Sequence, residues 1–378
     1  MISRVDVENL MRREPRPGSP VLSLYLNTDL SIAANVNRAF EVVLKDLLRE
    51  IEERLDKDER KEFAADAVGV SRFVENYREP QHGLVIFSDA SDDFFWVREL
   101  RVNVRDGAWW SETPYLRPLI EILDEHERYG VLLTDRKQAR LFTIYLGEIE
   151  EHLEAFAKAD VTHIKSSGTD RLLSQMNIER KADEHAQWHL KRVAELMSRL
   201  ARKHEFERLI LAGTVEATSE LSGLLPKGLR VRVVRKISLA VEASDTEVLE
   251  ATLKVEEEIE REHETRIVEE LITAAGKQQQ AVLGLDRTLE AILEQRAWRL
   301  IYSDGFAASG TECTNCGALS VSEGESCAYC GEAVREVLDL VERADTRLMD
   351  MHGKVEHVRG AAATRLQGVG SIGAFLRY

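Results

Sequence analysis

Apolar positions along the chain alternate between a spacing of two and spacings of three and four, which sets out strands and amphipathic helices in turn. Val21-Leu22-Ser23-Leu24-Tyr25-Leu26, between Pro20 and the turn-forming Asn27-Thr28-Asp29, reads as a strand. Over residues 38–55, Phe40, Val43, Leu44, Leu47, Leu48, Ile51 and Leu55 recur three and four apart, the core face of a helix. A second strand at 83–87 follows, so residues 1–125 read as an N-terminal α/β domain. Two β-rich runs, 129–134 and 139–145, flank the polar Asp135-Arg136-Lys137-Gln138 and predict a hairpin. Residues 178–203 predict a long, mostly solvated helix whose apolar positions are Leu190, Val193, Ala194, Met197 and Leu200. A strand at 209–213, a short helix from about Ser219 and a basic strand over 229–234 complete a middle α/β domain, 126–238.

A C-terminal α/β domain is expected over 239–378. Ser244-Asp245-Thr246-Glu247 is a capping box, whose hydroxyl and carboxylate satisfy free amides at a helix start. The acidic helix behind it runs to about Ala275, with Gly276 as a left-handed stop. A helix at 285–296, a strand at 298–302, a helix near 333–343 and strands at 355–358 and 374–377 complete the domain. No repeat of fixed period is visible.

Composition narrows the class. With 44% hydrophobic and 31% charged residues over 378 positions, the chain is globular, with two to three domains, and neither disordered nor collagen-like. Its longest apolar runs are far below the roughly 20 residues of a membrane-spanning helix. Charges in Met1-Ile2-Ser3-Arg4-Val5-Asp6-Val7-Glu8 stand where a signal peptide carries its apolar core, so the expected location is the cytoplasm, with no membrane partner. The net charge of -16 argues against a generic polyanion binder. Residues 161–236, however, hold 15 Lys and Arg against 9 Asp and Glu, so one segment can face phosphate.

All four cysteines fall in one window, Cys313-Thr314-Asn315-Cys316 and Cys327-Ala328-Tyr329-Cys330. Two such pairs supply four thiolates from two tight turns, the donor set of a structural zinc, and Gly317 and Gly331 suit the turn of each knuckle. The alternative is two disulfides or four free thiols. Four thiolates leave no open coordination position, so hydrolytic zinc chemistry is not expected.

Gln280-Ala281-Val282-Leu283-Gly284-Leu285-Asp286-Arg287-Thr288-Leu289-Glu290-Ala291-Ile292, the strand reaching Ser303-Asp304-Gly305-Phe306, and the closing Ile372-Gly373-Ala374-Phe375-Leu376-Arg377-Tyr378 resemble the C-terminal domain of archaeal and eukaryotic class I peptide release factors and of Pelota. The ribbon over 311–333 resembles the archaeal arrangement. Weaker likeness runs through Lys191-Arg192-Val193-Ala194-Glu195 and 209–214 to Val36-Asn37-Arg38. The resemblance implies a three-domain, release-factor-like α/β architecture with a zinc ribbon inserted in the C-terminal domain.

The departures from that pattern decide the functional expectation. Counting back without gaps, the release factors' Gly-Gly-Gln falls on Arg171-Leu172-Leu173, where no glycine allows close backbone approach. Gln175 occupies a related place only if the loop is reshaped. The stop-codon loop Asn-Ile-Lys-Ser falls on Ser31-Ile32-Ala33-Ala34. The combination looks like the bacterial relatives of the family, including Balon-type ribosome hibernation factors. It implies entry into the ribosomal A site, contact with ribosomal RNA or tRNA, and, for some members, elongation factor Tu or another translational GTPase as partner. Arg171, Arg180, Lys181, Lys191 and Arg192 are the expected RNA-facing residues. Two alternatives stay open: a peptidyl-tRNA hydrolase or release factor using Gln175, and a zinc-ribbon interaction scaffold.

Other constellations add little. His185 and His189 share a helix face but lack a third ligand and the H-E-x-x-H order, so solvated or RNA-facing histidines are expected. Trp188 is expected to pack, with base stacking as the alternative. Ser174 has no nucleophile motif around it, and Gly368, Gly370 and Gly373 make no phosphate loop.

Overall fold

The computed structural model describes residues 4–13, 19–156, 174–322 and 324–378. It is a mixed α/β protein in two compact units, one formed by Met1–Glu125 with Glu260–Tyr378 and the other by His126–Ile259.

The N-terminal part of the first unit runs α1 (Arg4–Met11), β1 (Val21–Asn27), α2 (Phe40–Glu52), α3 (Glu59–Asn76), β2 (Gly83–Asp89), β3 (Phe94–Leu100), β4 (Gly107–Ser111) and α4 (Arg117–Glu125). Its sheet is antiparallel in the order β3-β2-β1-β4. Side chains alternate across a strand. Leu22, Leu24 and Leu26 therefore meet Phe40, Leu44, Leu48, Phe63, Val70 and Val74 of α2 and α3. On the other face the Tyr25 ring takes edge contacts from Phe87 and Trp109. The expected helix over 38–55 starts at Phe40, because Asn37 and Arg38 both take left-handed backbone angles (φ 59° and 61°). The Arg38 guanidinium donates to the carbonyls of Val74 (2.9 Å) and Tyr77 (2.7 Å), closing the C-terminus of α3. In this chain, then, Arg38 has a structural role.

The second unit contains β5 (Tyr129–Thr134), β6 (Ala139–Tyr145), β7 (Glu148–Glu151), α5 (Ser174–Lys203), β8 (Arg208–Gly213), α6 (Val215–Leu224), α7 (Lys227–Arg230), β9 (Val233–Ser238) and the first half of α8 (Asp245–Gly276). The expected hairpin is β5 and β6, with Tyr129 opposite Ile144, inside the order β7-β6-β5-β8-β9. Strand β8 is parallel to both β5 and β9. Leu190, Val193, Ala194, Met197 and Leu200 of α5 pack on Leu132, Leu141, Leu209 and Leu211, as their spacing requires. Val248, Val255 and Ile259 of α8 cover the opposite face. Gly213 has no substitute, since a Cβ there would lie 1.8 Å from the Thr134 carbonyl oxygen. The capping box forms as expected: the Ser244 amide donates to Glu247 (2.8 Å) and the Glu247 amide to the Ser244 hydroxyl (3.3 Å).

Two expectations in this unit need correction. Helix α6 begins at Val215, before Ser219, because the Thr214 hydroxyl caps it by accepting from the Ala217 amide (3.3 Å). The strand expected over 229–234 is displaced to Val233–Ser238. Leu229 belongs to the helical turn α7, where it is buried in the core while Arg230 donates to the Gly223 and Leu225 carbonyls.

The C-terminal part of the first unit adds β10 (Ala281–Leu283), α9 (Leu285–Leu293), β11 (Ala297–Ser303), β12 (Gly310–Cys313), β13 (Leu319–Ser320), β14 (Val334–Val337), α10 (Leu340–Asp350), β15 (Lys354–Val358), α11 (Gly360–Gln367) and β16 (Ile372–Leu376). Its main sheet is ordered β10-β16-β11-β15, and Ile267, Val268 and Leu271 of α8 pack with Ile301, Val358, Ala362 and Leu366. Helix α8 ends differently from expectation. Gly276 is its last residue, and the left-handed position falls at Gln278 (φ 54°). The helix expected near 333–343 is instead strand β14 followed by α10. Val334–Val337 pairs with Gly310–Cys313, and the Asp339 carboxylate accepts from the Val341 amide (3.0 Å) to start α10.

Candidate functional site

Strands β12, β13 and β14 form a three-stranded ribbon, ordered β13-β12-β14, that carries the cysteines on two tight turns. Gly317 (φ 73°) and Gly331 (φ 79°) adopt the left-handed turn that ends each knuckle, their amides donating to the carbonyls of Cys313 (3.1 Å) and Cys327 (2.9 Å). All four sulfurs lie within 4.8 Å of one another. The Cys313–Cys330 and Cys316–Cys327 sulfurs are 3.4 and 3.6 Å apart, and all four thiols are free. A disulfide would need about 2.05 Å, whereas four sulfurs each about 2.3 Å from one ion lie about 3.8 Å apart.

The surroundings favour the thiolate at Cys313 and Cys327. Amides of Asn315 and Cys316 donate to the Cys313 sulfur, and that of Tyr329 to the Cys327 sulfur, each at 3.4 Å. Burial pushes the Cys313 thiol up, but these amides outweigh it and bring it down to about 6. The Tyr329 and Cys330 amides likewise hold the Cys327 thiol below its ordinary value. The donor set and spacing fit a closed, structural metal centre.

The expected RNA-facing residues fall mainly on α5. Gln175, Arg180 and Lys181 are on its N-terminal turns, with side chains outside the described residues; Arg171, Leu172 and Leu173 lie outside the described residues altogether. Lys191 is exposed, and Arg192 is half-buried and paired with Glu195 (3.4 Å). His185, Trp188 and Arg192 are spaced to share one side of the helix. His185 is exposed there, as expected, but Trp188 corrects the packing expectation: it is 50% exposed, a large apolar surface beside Lys191. His189 corrects the other. It turns inward with Ala186 and Leu190, is 4% exposed, and neither ring nitrogen makes a well-formed hydrogen bond. Burial holds its imidazole below the ordinary value.

Glu312, one residue before the first cysteine, is a site residue that the sequence pattern does not single out. Its carboxylate receives Arg335, Arg343 and Arg347 and is held below the ordinary range: burial pushes it up, and these arginines more than offset that. An acidic strand residue beside a metal knuckle, with arginines four apart on the following helix, is the available signal. Among the described residues no helix is long and apolar enough to cross a membrane.

Residues 114–257 match the family described as bacterial archaeo-eukaryotic release factor family 10, which bears out the resemblance to bacterial relatives of the release factors. The uncharacterized protein YocB of Bacillus subtilis (strain 168) is 22% identical over 240 residues, 61% of this chain and 92% of YocB. Among solved structures, the archaeal translation termination factor aRF1 is 15% identical, covering 100% of this chain and 99% of its own, with a TM-score of 0.26. A model of ribosome-bound archaeal Pelota and ABCE1 is 13% identical over 100% of this chain and 94% of that one, at a TM-score of 0.42.

Proposed function

We propose that this protein is a ribosome-binding translation factor that acts by occupying the A site, in hibernation or rescue, and does not release the nascent peptide. The supporting observation is the family match over 114–257, which spans the basic helix α5. In this reading the three domains are 1–125, 126–238 and 239–378, and the factor works in the cytoplasm. Ribosomal RNA or tRNA is its main partner, with elongation factor Tu or another translational GTPase as the delivery partner. Lys191 and Arg192, with Arg171, Arg180 and Lys181 on the same stretch of chain, contact phosphate, and Trp188 offers a face for an unstacked base.

Two further assignments belong to this reading. The metal is zinc, held by Cys313, Cys316, Cys327 and Cys330; it cross-links the knuckles and supplies no open position for chemistry. Arg171-Leu172-Leu173 stands in the place of Gly-Gly-Gln, and its side chains keep the backbone from entering a crowded RNA cavity. Peptidyl-tRNA on stalled ribosomes should therefore stay intact when the protein is added. Rapid release that Gln175→Ala abolishes would replace occupancy by hydrolysis.

Ribosome sedimentation tests the binding face. Reversing Lys191 and Arg192 to Glu should weaken co-pelleting about tenfold at low salt, with a difference that shrinks as salt rises, because phosphate contacts act through counterion release. Reversing the exposed Glu257 and Glu258 on α8 to Lys should not weaken it. An equal loss from both pairs would exclude this face.

A further inference from the structure

We propose that the cysteine ribbon is a clasp, and that metal loading controls whether residues 112–117 stay ordered against the C-terminal part of their unit. The inference rests on the metal reading above and concerns what the metal does for the rest of the chain.

The clasp starts one residue before Cys313. Buried Glu312 accepts from Arg335 of the facing strand (2.9 and 3.2 Å) and from Arg347 of α10 (2.7 Å). The remaining nitrogen of Arg335 donates to Glu112 (2.6 Å), and Arg343 donates to the Thr113 hydroxyl (3.0 Å). Both acceptors follow directly on β4. Next along the chain, Tyr115 donates to Asp339 (2.8 Å) and stacks on Trp109 with ring centroids 4.1 Å apart. Arg117, only 5% exposed, donates to Asp339 (2.7 Å) and to the Phe306 carbonyl (2.6 Å). Apart from Trp109, every partner of 112–117 in this set lies on the ribbon or flanks it, whereas β4 is held by β1, and Glu121, Asp124 and Glu125 of α4 by Tyr302, His357, Arg261 and Arg359.

Packing within the ribbon is small: its strands are two to four residues long, and its buried apolar residues are Cys313, Ala318, Leu319, Cys327 and Val337. Elements this small need a staple. The metal ligands Cys313 and Cys316 bracket one side and Cys327 and Cys330 the other, so the ion fastens the short strands whose pairing sets Glu312 opposite Arg335. Gly317 shows how closely the knuckle sits on α10: a Cβ there would lie 2.5 Å from an Arg347 nitrogen. Without metal, Arg335 loses its fixed place and with it the tie to Glu112, and Arg343, which holds Thr113, loses its ion-pair partner Glu312.

Hydrogen exchange on the full chain tests the clasp, before and after the metal is stripped with a mercurial thiol reagent and a chelator. Amides in 112–117 should exchange about tenfold faster or more once stripped, while those of β4 and of 129–145 keep their protection. Arg335→Ala, which leaves all four cysteines in place, should reproduce the change with the metal still bound. Elemental analysis of the same samples separates the two claims. A chain that never carries metal defeats the metal centre; a metal-carrying chain whose 112–117 amides stay protected after stripping defeats the clasp alone. Unchanged protection in Arg335→Ala, or loss that extends equally through 129–145, also overturns the clasp.

Discussion

Replacing Cys313 by serine, or stripping the metal, is expected to unfold the ribbon over 310–337 and to destabilise its unit by on the order of 5 kcal/mol. That figure is well below the roughly 10–16 kcal/mol of apparent zinc binding in isolated fingers, because only part of this unit depends on the ion. Cys313 is 3% exposed, and two amides donate to its sulfur and favour the thiolate, so a serine hydroxyl there forfeits the ligand. At about 2–4 °C per kcal/mol for a domain of this size, the melting midpoint should fall by roughly 10–20 °C. Elemental analysis under reducing conditions should find one zinc per chain. A zinc-free preparation with the same midpoint would mean that the cysteines hold nothing.

Stability should also fall as pH rises through neutrality, because Glu342 enters the fold as an acid. Burial is the main cause of its displacement, pushing the carboxyl up to about 7; neighbouring Asp339 and Glu312 push the same way, and Arg343 and Arg117 only partly oppose them. Asp345, fully buried and hydrogen-bonded to Tyr302 (3.1 Å), is raised well above the carboxylate range, again chiefly by burial. The folded-state value lies above the unfolded one, so this stabilisation is fully present below about 4.5 and is lost as pH passes about 7. The span corresponds to about 3 kcal/mol for Glu342. Asp89 and Asp304 act in the opposite sense. Burial pushes both carboxyls up, but Arg13, Ser19 and Ser91 around Asp89, and Arg105 and His357 around Asp304, more than offset it and hold both low. Their stabilisation is therefore lost in acid. Urea midpoints should peak in mildly acidic buffer and decline towards pH 8. Glu342→Gln, neutral throughout, should flatten the decline; a wild-type midpoint that rises from pH 6 to 8 would contradict the assignment.

What can be read from sequence is what nearby residues determine. The strand at Val21, the Tyr129–Ala139 hairpin, the Ser244 capping box and the paired cysteines all rest on patterns a few residues long, and each has its expected form. Val334–Val337 reads wrongly because its Val-Arg-Glu-Val pattern fits a helix end as well as a strand. Only pairing with Gly310–Cys313, more than twenty residues earlier, decides between them. The roles of Arg38 and Glu312 are hidden for the same reason: their partners, Val74 and Tyr77 in one case and Arg335 and Arg347 in the other, are distant in sequence. His189 and Trp188 show a finer limit. The helix period identifies the inner row at Leu190 and Val193 but not which neighbours at its border turn in, and there His189 is buried while Trp188 faces out.

A-site occupancy is settled by a cryo-EM map of the full chain bound to ribosomes. Density for the protein is expected in the A site, with α5 and its Lys191–Arg192 face against ribosomal RNA or tRNA and an intact peptidyl-tRNA beside it. An empty A site on ribosomes saturated with the protein, or density confined to another surface, would contradict it.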